Sequence, residues 1–355
     1  MVSDAGRTES IILATASYDY SIRLWQAHKA TYLRHFQHPE FQVNALCITP
    51  DRQLLAAAGF QHIRMYDILS TVQGSGPVLN YEGIQKNVTA VGFHQDGKWM
   101  YSGGEDNSAR IWDTRSRNLQ CQRTYNSHNP VTSAVLSPNQ QELIIADQAG
   151  TIHLWDVRTN QSFQLTPEPD SMVHHVDIDP TGTLLAAVTY KGNCYLYNVR
   201  EGFSVSPIDT GADPQQLSTS PPRGANGGGG SSQPSKATEG LSTLELRGKR
   251  EVHEKYALKC RFSSDSKLLC TTSADQTAKV WTVPDLTLVH TLAPEVNKQR
   301  WVWDCAFSSD SKFVFTASSD NLARLWSVET GQVLQEYSGH KNALTALAFC
   351  DTLHT

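Results

Sequence analysis

Charge is scarce in this chain and neither sign dominates. Asp, Glu, Lys and Arg make up 18% of its 355 residues, and 30 basic against 35 acidic side chains leave a formal net charge of −5. Without a basic field, nucleic acid is not an expected partner. Long apolar runs are missing too. No stretch approaches the roughly 18–20 consecutive apolar residues that span a bilayer, so direct membrane insertion is not expected. Residues 1–10 are polar, carry acids and lack the basic and apolar segments of a signal peptide, which leads to the expectation of a cytoplasmic or nuclear location. The seven cysteines (Cys47, Cys121, Cys194, Cys260, Cys270, Cys305 and Cys350) stand singly, with no CxxC pair. Such an odd, scattered set is expected to be reduced thiols in strands, not disulfides or metal ligands. There is no G-x-S-x-G elbow, no H-E-x-x-H pair and no G-x-x-x-x-G-K-[ST] loop. These absences remove the usual signatures of hydrolases, zinc proteases and phosphate cradles. The glycine pair Gly103–Gly104 sits in a turn between strands with no helix after it. His153, His174 and His175 lack further ligands in register. No cofactor and no metal are therefore expected, and the chain is not expected to be an enzyme.

What the chain does have is a repeat. A small-residue strand, a turn with Asp, an alternating strand and an aromatic residue recur in that order. The aromatic anchors are Trp25, Tyr66, Trp112, Trp155, Tyr197, Trp281 and Trp326, spaced 41, 46, 43, 42, 84 and 45 residues apart. All gaps but one fit the roughly 40–45-residue period of WD repeats, and the 84-residue gap is one repeat plus an insertion. Within a unit, for example 257–281, three period-2 strands are separated by Asp/Ser turns, the pattern of an antiparallel meander. Such a sheet must cover its faces by stacking on copies of itself, and radial stacking of four-stranded sheets is the propeller solution. The fold class is therefore all-β: a seven-bladed WD40 β-propeller over residues 11–350. The first copy lacks an innermost strand, and 343–350 (ALTALAFC) is an innermost strand without a blade. The C-terminal strand is expected to pair with the first blade and close the ring.

Residues 202–240 interrupt the pattern. They are rich in Gly, Ser and Pro and almost free of apolar side chains, so a disordered insertion is expected after the third strand of blade five, with 241–249 as the outer strand.

Three copies place Ser eight and Asp six residues before the Trp: Ser17–Asp19–Trp25, Ser273–Asp275–Trp281 and Ser318–Asp320–Trp326. His340 precedes the innermost strand of the first blade and His253 that of the sixth. Buried His–Ser–Asp–Trp hydrogen-bond chains are expected there, because buried polar groups need partners. A hydrolase triad is the competing reading, but a constellation repeated from blade to blade and ending on Trp is structural. Other copies are degraded: Gly104 replaces the Ser in the third, Ala149 the Asp in the fourth, and Tyr the Trp in the second and fifth. Arg23, Arg64, Arg110, Lys279 and Arg324 recur two residues before the anchor, a regularity that favours a structural role over a basic rim for acidic or phosphorylated peptides. Such a rim would mark a ubiquitin-ligase adaptor or a chromatin reader instead.

Large residues in the loops before innermost strands are the candidates for binding a protein, because local structure does not require them. Trp301 and Trp303, in RWVWD, are the sharpest, since Trp is a common interface anchor; packing of either ring between blades is the competing reading. Gln42, Asn44, Asn87, His175, Tyr256 and Asn342 are expected in similar positions of other repeats, and Tyr18, Phe60 and Tyr190 in turns on the same face. A polar–aromatic ring of this kind suits a protein partner.

At these residues the sequence also resembles a known family. The segments GFQHIRMYD (59–67), GGEDNSARIWDTRSRNLQCQR (103–123), GNCYLYN (192–198) and ASSDNLARLW (317–326) closely resemble the small WD-repeat, or G-beta-like, subunit of the target-of-rapamycin (TOR) kinase complexes. RSRNLQCQR in particular is not generic WD sequence. The similarity to heterotrimeric G-protein β subunits is confined to the shared repeat. The resemblance spans all seven repeats but not the insertion. It implies a non-catalytic scaffold of both TOR complexes, itself monomeric, that sits on the catalytic lobe of the TOR Ser/Thr kinase and stabilises it. It further implies a part in growth, nutrient response and actin organisation, and a cytoplasmic location, peripheral on endomembranes through the complex.

Overall fold

The second strand of a blade, as in Leu184–Thr189, is buried along its whole length, so its side chains need cover on both faces of the sheet and the blades must bury one another. The computed structural model describes residues 12–70, 76–116, 119–200, 202, 240–294 and 300–351. Among them are seven four-stranded antiparallel sheets. From the innermost strand outward, blade one is Leu344–Cys350, Ile12–Ser17, Ser21–Gln26 and Thr31–Gln37, and blade two is Ala45–Ile48, Leu54–Ala58, Ile63–Asp67 and Leu79–Tyr81. Blade three is Val88–Phe93, Trp99–Gly104, Ser108–Asp113 and Cys121–Asn126, and blade four is Val131–Leu136, Glu142–Asp147, Ile152–Asp156 and Ser162–Leu165. Blade five is Val173–Ile178, Leu184–Thr189, Asn193–Arg200 and Thr243–Glu251. Blade six is Ala257–Phe262, Leu268–Ser273, Ala278–Thr282 and Thr287–Leu292, and blade seven is Val302–Phe307, Phe313–Ser318, Ala323–Ser327 and Val333–Tyr337. Innermost strands touch their neighbours in order around a closed ring.

The core is divided accordingly. Seven apolar clusters occur, one at each junction between adjacent blades. Trp112, Trp155 and Trp326 are fully buried in three of them. Truncating such a Trp to Ala costs about 3–5 kcal/mol through lost contacts and a cavity. Carboxylates staple neighbouring innermost strands: the Phe262 amide donates to Asp177 (2.8 Å) and the Leu347 amide to Asp304 (3.0 Å).

Closure follows the expected route. Ile12–Ser17 pairs antiparallel with Leu344–Cys350, so the first blade is built from both ends of the ring. The insertion expected over 202–240 lies, apart from its end residues, outside the described residues. Those ends meet: a Cβ on Gly202 would fall 2.7 Å from the Gly240 carbonyl carbon. The adjoining Ser242 amide donates to Glu142 of blade four (2.6 Å).

Every turn between second and third strands contains one residue with positive φ, from Tyr20 (60°) in blade one to Asn321 (71°) in blade seven. At Gly192 only glycine fits, because a Cβ would stand 2.1 Å from the His253 carbonyl oxygen in the loop leading to blade six. These turns and the loops before innermost strands share one end of the propeller, here called the upper face.

Candidate functional site

The upper mouth of the central channel is built by a repeated irregularity. Six innermost strands carry a bulge near their start, at Thr89, Thr132, His174, Leu258, Trp303 and Thr345. A bulge adds one unpaired residue and re-aims its side chain. All six line the mouth together with Asn44, which precedes the innermost strand of blade two. On one half of this ring each side chain bonds to the next blade: Asn44 to the Val88 carbonyl (3.2 Å), Thr89 to that of Val131 (2.9 Å) and Thr132 to that of Val173 (2.6 Å). On the other half, His174 Nε2 and Thr345 Oγ1 are buried without a hydrogen-bond partner among the described residues. Burial lowers the His174 pKa to about 4, so its imidazole is neutral at neutral pH.

Beside that unsatisfied half lies a continuous row of aromatic rings. His174 stacks on Tyr190 (5.9 Å between centroids), Tyr190 on Tyr256 (4.1 Å), Tyr256 meets Trp301 edge-on (6.1 Å), and Trp301 touches Trp303 (5.5 Å). The row crosses blades five, six and seven. Tyr190 is 44% and Trp301 40% exposed, a large apolar outlay for a surface. Trp303 is half-buried and donates from Nε1 to Ser319 (2.6 Å).

The remaining candidates scatter around this row. Tyr18 (43% exposed) and half-buried Asn87 border the mouth, and Asn87 donates to Glu105 (2.9 Å). Phe60 packs on Phe41 (4.7 Å) at blade two, near half-buried Gln42. Two candidates need correction. His175 lines the mouth beside His174 but is mostly buried, 3.6 Å from Cys260 Sγ, and burial with Arg261 and Lys259 nearby holds its pKa well below the usual imidazole value. The residue equivalent to Trp303 is its neighbour His174. Asn342 likewise misses its position by one. It is exposed but spends its groups on the turn of blade one, donating to the Tyr18 carbonyl (3.4 Å) and accepting from Ser17 Oγ (2.8 Å). Both slips have one cause: the bulge breaks the two-residue alternation, and a one-residue shift turns a side chain to the other face.

The hydrogen-bond chains beneath this face exist, with a different hydroxyl. In blade one Trp25 Nε1 donates to Thr15 Oγ1 (2.8 Å), Thr15 Oγ1 lies 2.9 Å from His340 Nε2, and His340 Nδ1 lies 3.1 Å from Asp19 Oδ2. Blade six repeats the chain through Trp281, Thr271, His253 and Asp275 (2.9, 2.8 and 2.8 Å). Ser17 and Ser273 instead accept from the amides of Asp19 and Asp275 and cap the turns. The reason is reach. Trp25 pairs with Leu13, and its indole N–H extends one pleat to Thr15, leaving Ser17 a further pleat away. Burial alone would raise the Asp19 carboxyl, but the hydrogen bonds from Ser21 and the Lys341 amide outweigh it and hold the pKa at about 2. Burial lowers His340, so a neutral ring with Nδ1–H toward Asp19 and Nε2 accepting from Thr15 satisfies every member. In blade seven Trp326 bonds Thr316 (2.9 Å), Ser318 donates to the Arg300 carbonyl (3.4 Å) and Asp320 meets Arg324 (2.6 Å). In blade four Asp147 takes the place left by Ala149 and meets His153 at 3.0 Å.

Four of the five recurring cations are tied to their own blade or to the loop before it. Arg110 pairs with Asp106 (2.7 Å), Arg324 with Asp320 and Glu336, Lys279 donates to the Val252 carbonyl (2.8 Å), and Arg64 to that of Pro39 (3.1 Å). The fifth, Arg23, lies over the Tyr32 ring (5.7 Å), and its Nε is buried without a partner among the described residues.

Comparison with known proteins places this geometry among relatives. The WD domain, G-beta repeat family matches residues 75–113, 119–156, 245–282 and 286–327. The chain is 47% identical over 351 residues to a Mus musculus protein named "Target of rapamycin complex subunit LST8", covering 98% of this chain and 97% of the relative. It is 42% identical over 349 residues to "Protein LST8 homolog" of Drosophila melanogaster, covering 98% and 99%. With "Target of rapamycin complex subunit LST8" of Saccharomyces cerevisiae it shares 38% over 277 residues, 78% of each.

Proposed function

The chain belongs to the LST8 family of target of rapamycin complex subunits, and from that premise we propose that its aromatic row is the surface that holds the TOR kinase. As a family member it serves as a TOR complex subunit, acting in growth and nutrient signalling. The proposed contact is with the catalytic lobe of the kinase, in both TOR complexes, and its effect is to stabilise that lobe.

The observation that carries this reading is the uninterrupted row from His174 to Trp303, exposed at Tyr190 and Trp301. Rigid aromatic anchors at the centre of a patch supply most of an interface's energy, and Trp and Tyr lead that list. A scaffold role also fits the burial of the His–Asp pairs. His253 and His340 are 1% and 6% exposed, so no substrate reaches them. Among the described residues no helix is long and apolar enough to cross a membrane, and the proposed place of work is the cytoplasm, with membranes reached through the complex.

The test is co-purification. Trp301→Glu, alone and with Trp303→Glu, is introduced into the tagged full chain. Losing a hot-spot Trp costs about 2 kcal/mol or more, so kinase recovery falls roughly thirtyfold while the single variant keeps its melting temperature. Full recovery with both substitutions refutes the assignment of the surface.

A further inference from the structure

The RSRNLQCQR segment is absorbed by neither the repeat nor the upper face. Of its described residues, Arg115 follows the third strand of blade three and Gln122 and Arg123 begin the outer strand, at the opposite, lower end of the propeller. These three line a groove between blades three and four with a volume of about 420 Å³. The Gln95 amide donates to Gln140 Oε1 (2.9 Å), a bond from blade three to blade four beside the groove. Arg123 makes a second such link, its Nη1 donating to the carbonyls of Val157 and Arg158. Half-buried Trp99 contributes an apolar wall, with His94 against its ring at 4.7 Å.

The charge in this groove is lopsided. Lys98, Arg115, Arg123 and Arg158 line it, in a chain whose overall formal charge is −5. Two of the four are matched locally: Lys98 with Asp96 (3.0 Å) and Arg115 with Asp113 (3.2 Å). Among the described residues Arg123 and Arg158 have no carboxylate partner. Their described bonds use Nη1 of Arg123 on backbone carbonyls and Nη2 of Arg158 on Gln141. A guanidinium carries five N–H donors, so each keeps an edge able to take a carboxylate, and both are already held in place.

We propose that this groove docks an acidic linear peptide of a partner protein, with an apolar side chain on Trp99 and carboxylates on Arg123 and Arg158. The ground for an acidic peptide is charge complementarity joined to an apolar wall in one groove. Because the groove and the aromatic row lie at opposite ends of the channel, one propeller can hold two partners at once, and this site stands or falls independently of the kinase surface.

The probe is a fluorescein-labelled dodecapeptide of glutamates around two leucines, with a photo-crosslinker at its centre, titrated against the purified full chain. Saturable anisotropy is expected, with cross-links to residues 94–99 or 119–123. Arg123→Gln/Arg158→Gln weakens binding about tenfold or more, as loss of charge-assisted bonds does, and 0.5 M NaCl does the same. Should that pair lower the melting temperature, Lys98→Glu/Arg115→Glu, at exposed positions, must show the same loss. The proposal is overturned by no binding at roughly 1 mM peptide, or by equal binding of the glutamine-for-glutamate peptide. It is also overturned by cross-links on the aromatic row, or by phosphatidylserine vesicles binding with the same dependence on Arg123 and Arg158, which would make the groove a membrane contact.

Discussion

Replacing Thr15 by Val removes one hydroxyl and almost no volume, yet it strands two groups. The Trp25 indole N–H loses its acceptor at 2.8 Å and His340 Nε2 its donor at 2.9 Å, both in a buried setting. An unsatisfied buried polar group costs about 1–3 kcal/mol, so the substitution costs about 2–6 kcal/mol. With an unfolding entropy of about 2.1 cal/mol/K per residue, 355 residues give about 0.75 kcal/mol/K, and the melting temperature falls by about 3–8 °C. Ser17→Ala removes the cap on the turn and the bond to the Asn342 carbonyl, leaves the Trp25–Thr15–His340 chain intact, and costs about 1–2 kcal/mol. Thermal and urea unfolding of the purified chain measure both. The decisive quantity is the coupling to Trp25→Phe. That substitution costs clearly less in the Thr15→Val background than in the native chain, because the N–H has already lost its partner, whereas with Ser17→Ala the effects add. Additivity with Thr15 and coupling with Ser17 would refute the assignment of the hydroxyl. Thr271→Val in blade six repeats the experiment on an independent copy.

Other outcomes follow from neighbouring features. In blade two burial, reinforced by the neighbouring imidazole and Arg64, lowers His38 to about 3, while burial and Arg64 lower His62 to about 4. Since both folded values lie below the unfolded 6.5, their stabilising contribution is complete above that pH and shrinks as the pH falls, by roughly 1.5 kcal/mol per imidazole between pH 6.5 and 5. His38→Gln/His62→Gln is less stable at neutral pH but has a flatter stability profile over that range, and an unchanged profile counts against the pair. Replacing residues 203–239 by a two-residue glycine linker leaves the melting temperature within about 2 °C, because Gly202 and Gly240 already meet. A larger fall in differential scanning calorimetry would mean that the segment packs on the propeller. Stopping the chain before Leu344 removes the innermost strand of blade one and with it the apolar contacts of Leu344 and Leu347. Loss of the cooperative transition is expected, and a native-like melt would contradict ring closure as the source of stability.

The architecture was legible because its signal is redundant. Seven anchors, a constant period and two complementary half-copies all imply one closed ring, and no single degraded repeat spoils the count. The site was legible only in part. Trp301, Tyr256 and Tyr190 stand out as large residues where the repeat does not need them, but nothing local says that rings on three different blades touch. His174 was missed in favour of His175 because a bulge is silent in a pattern of period two. The cue was the register itself: two residues before Thr89, His174, Leu258 and Trp303 stand Asn87, Met172, Tyr256 and Trp301, so counting from Trp301 selects His174. Thr15 was passed over for a similar reason. It and Ser17 lie on the same face of one strand, and only the length of an indole ring decides between them.

The pairing of Ile12–Ser17 with Leu344–Cys350 also sets a clock on synthesis. Ser17 and Leu344 are about 330 residues apart, and translation at about 5–20 residues per second leaves the first blade waiting roughly 15–65 s for its innermost strand. Throughout that interval the edge at Ile12–Ser17 is an open template for any passing strand, and Thr15 has no His340 to meet. Nascent chains crowded on one messenger are therefore exposed to mispairing through Ile12–Ser17, and slowing translation lengthens that exposure even though the finished ring has no edge there.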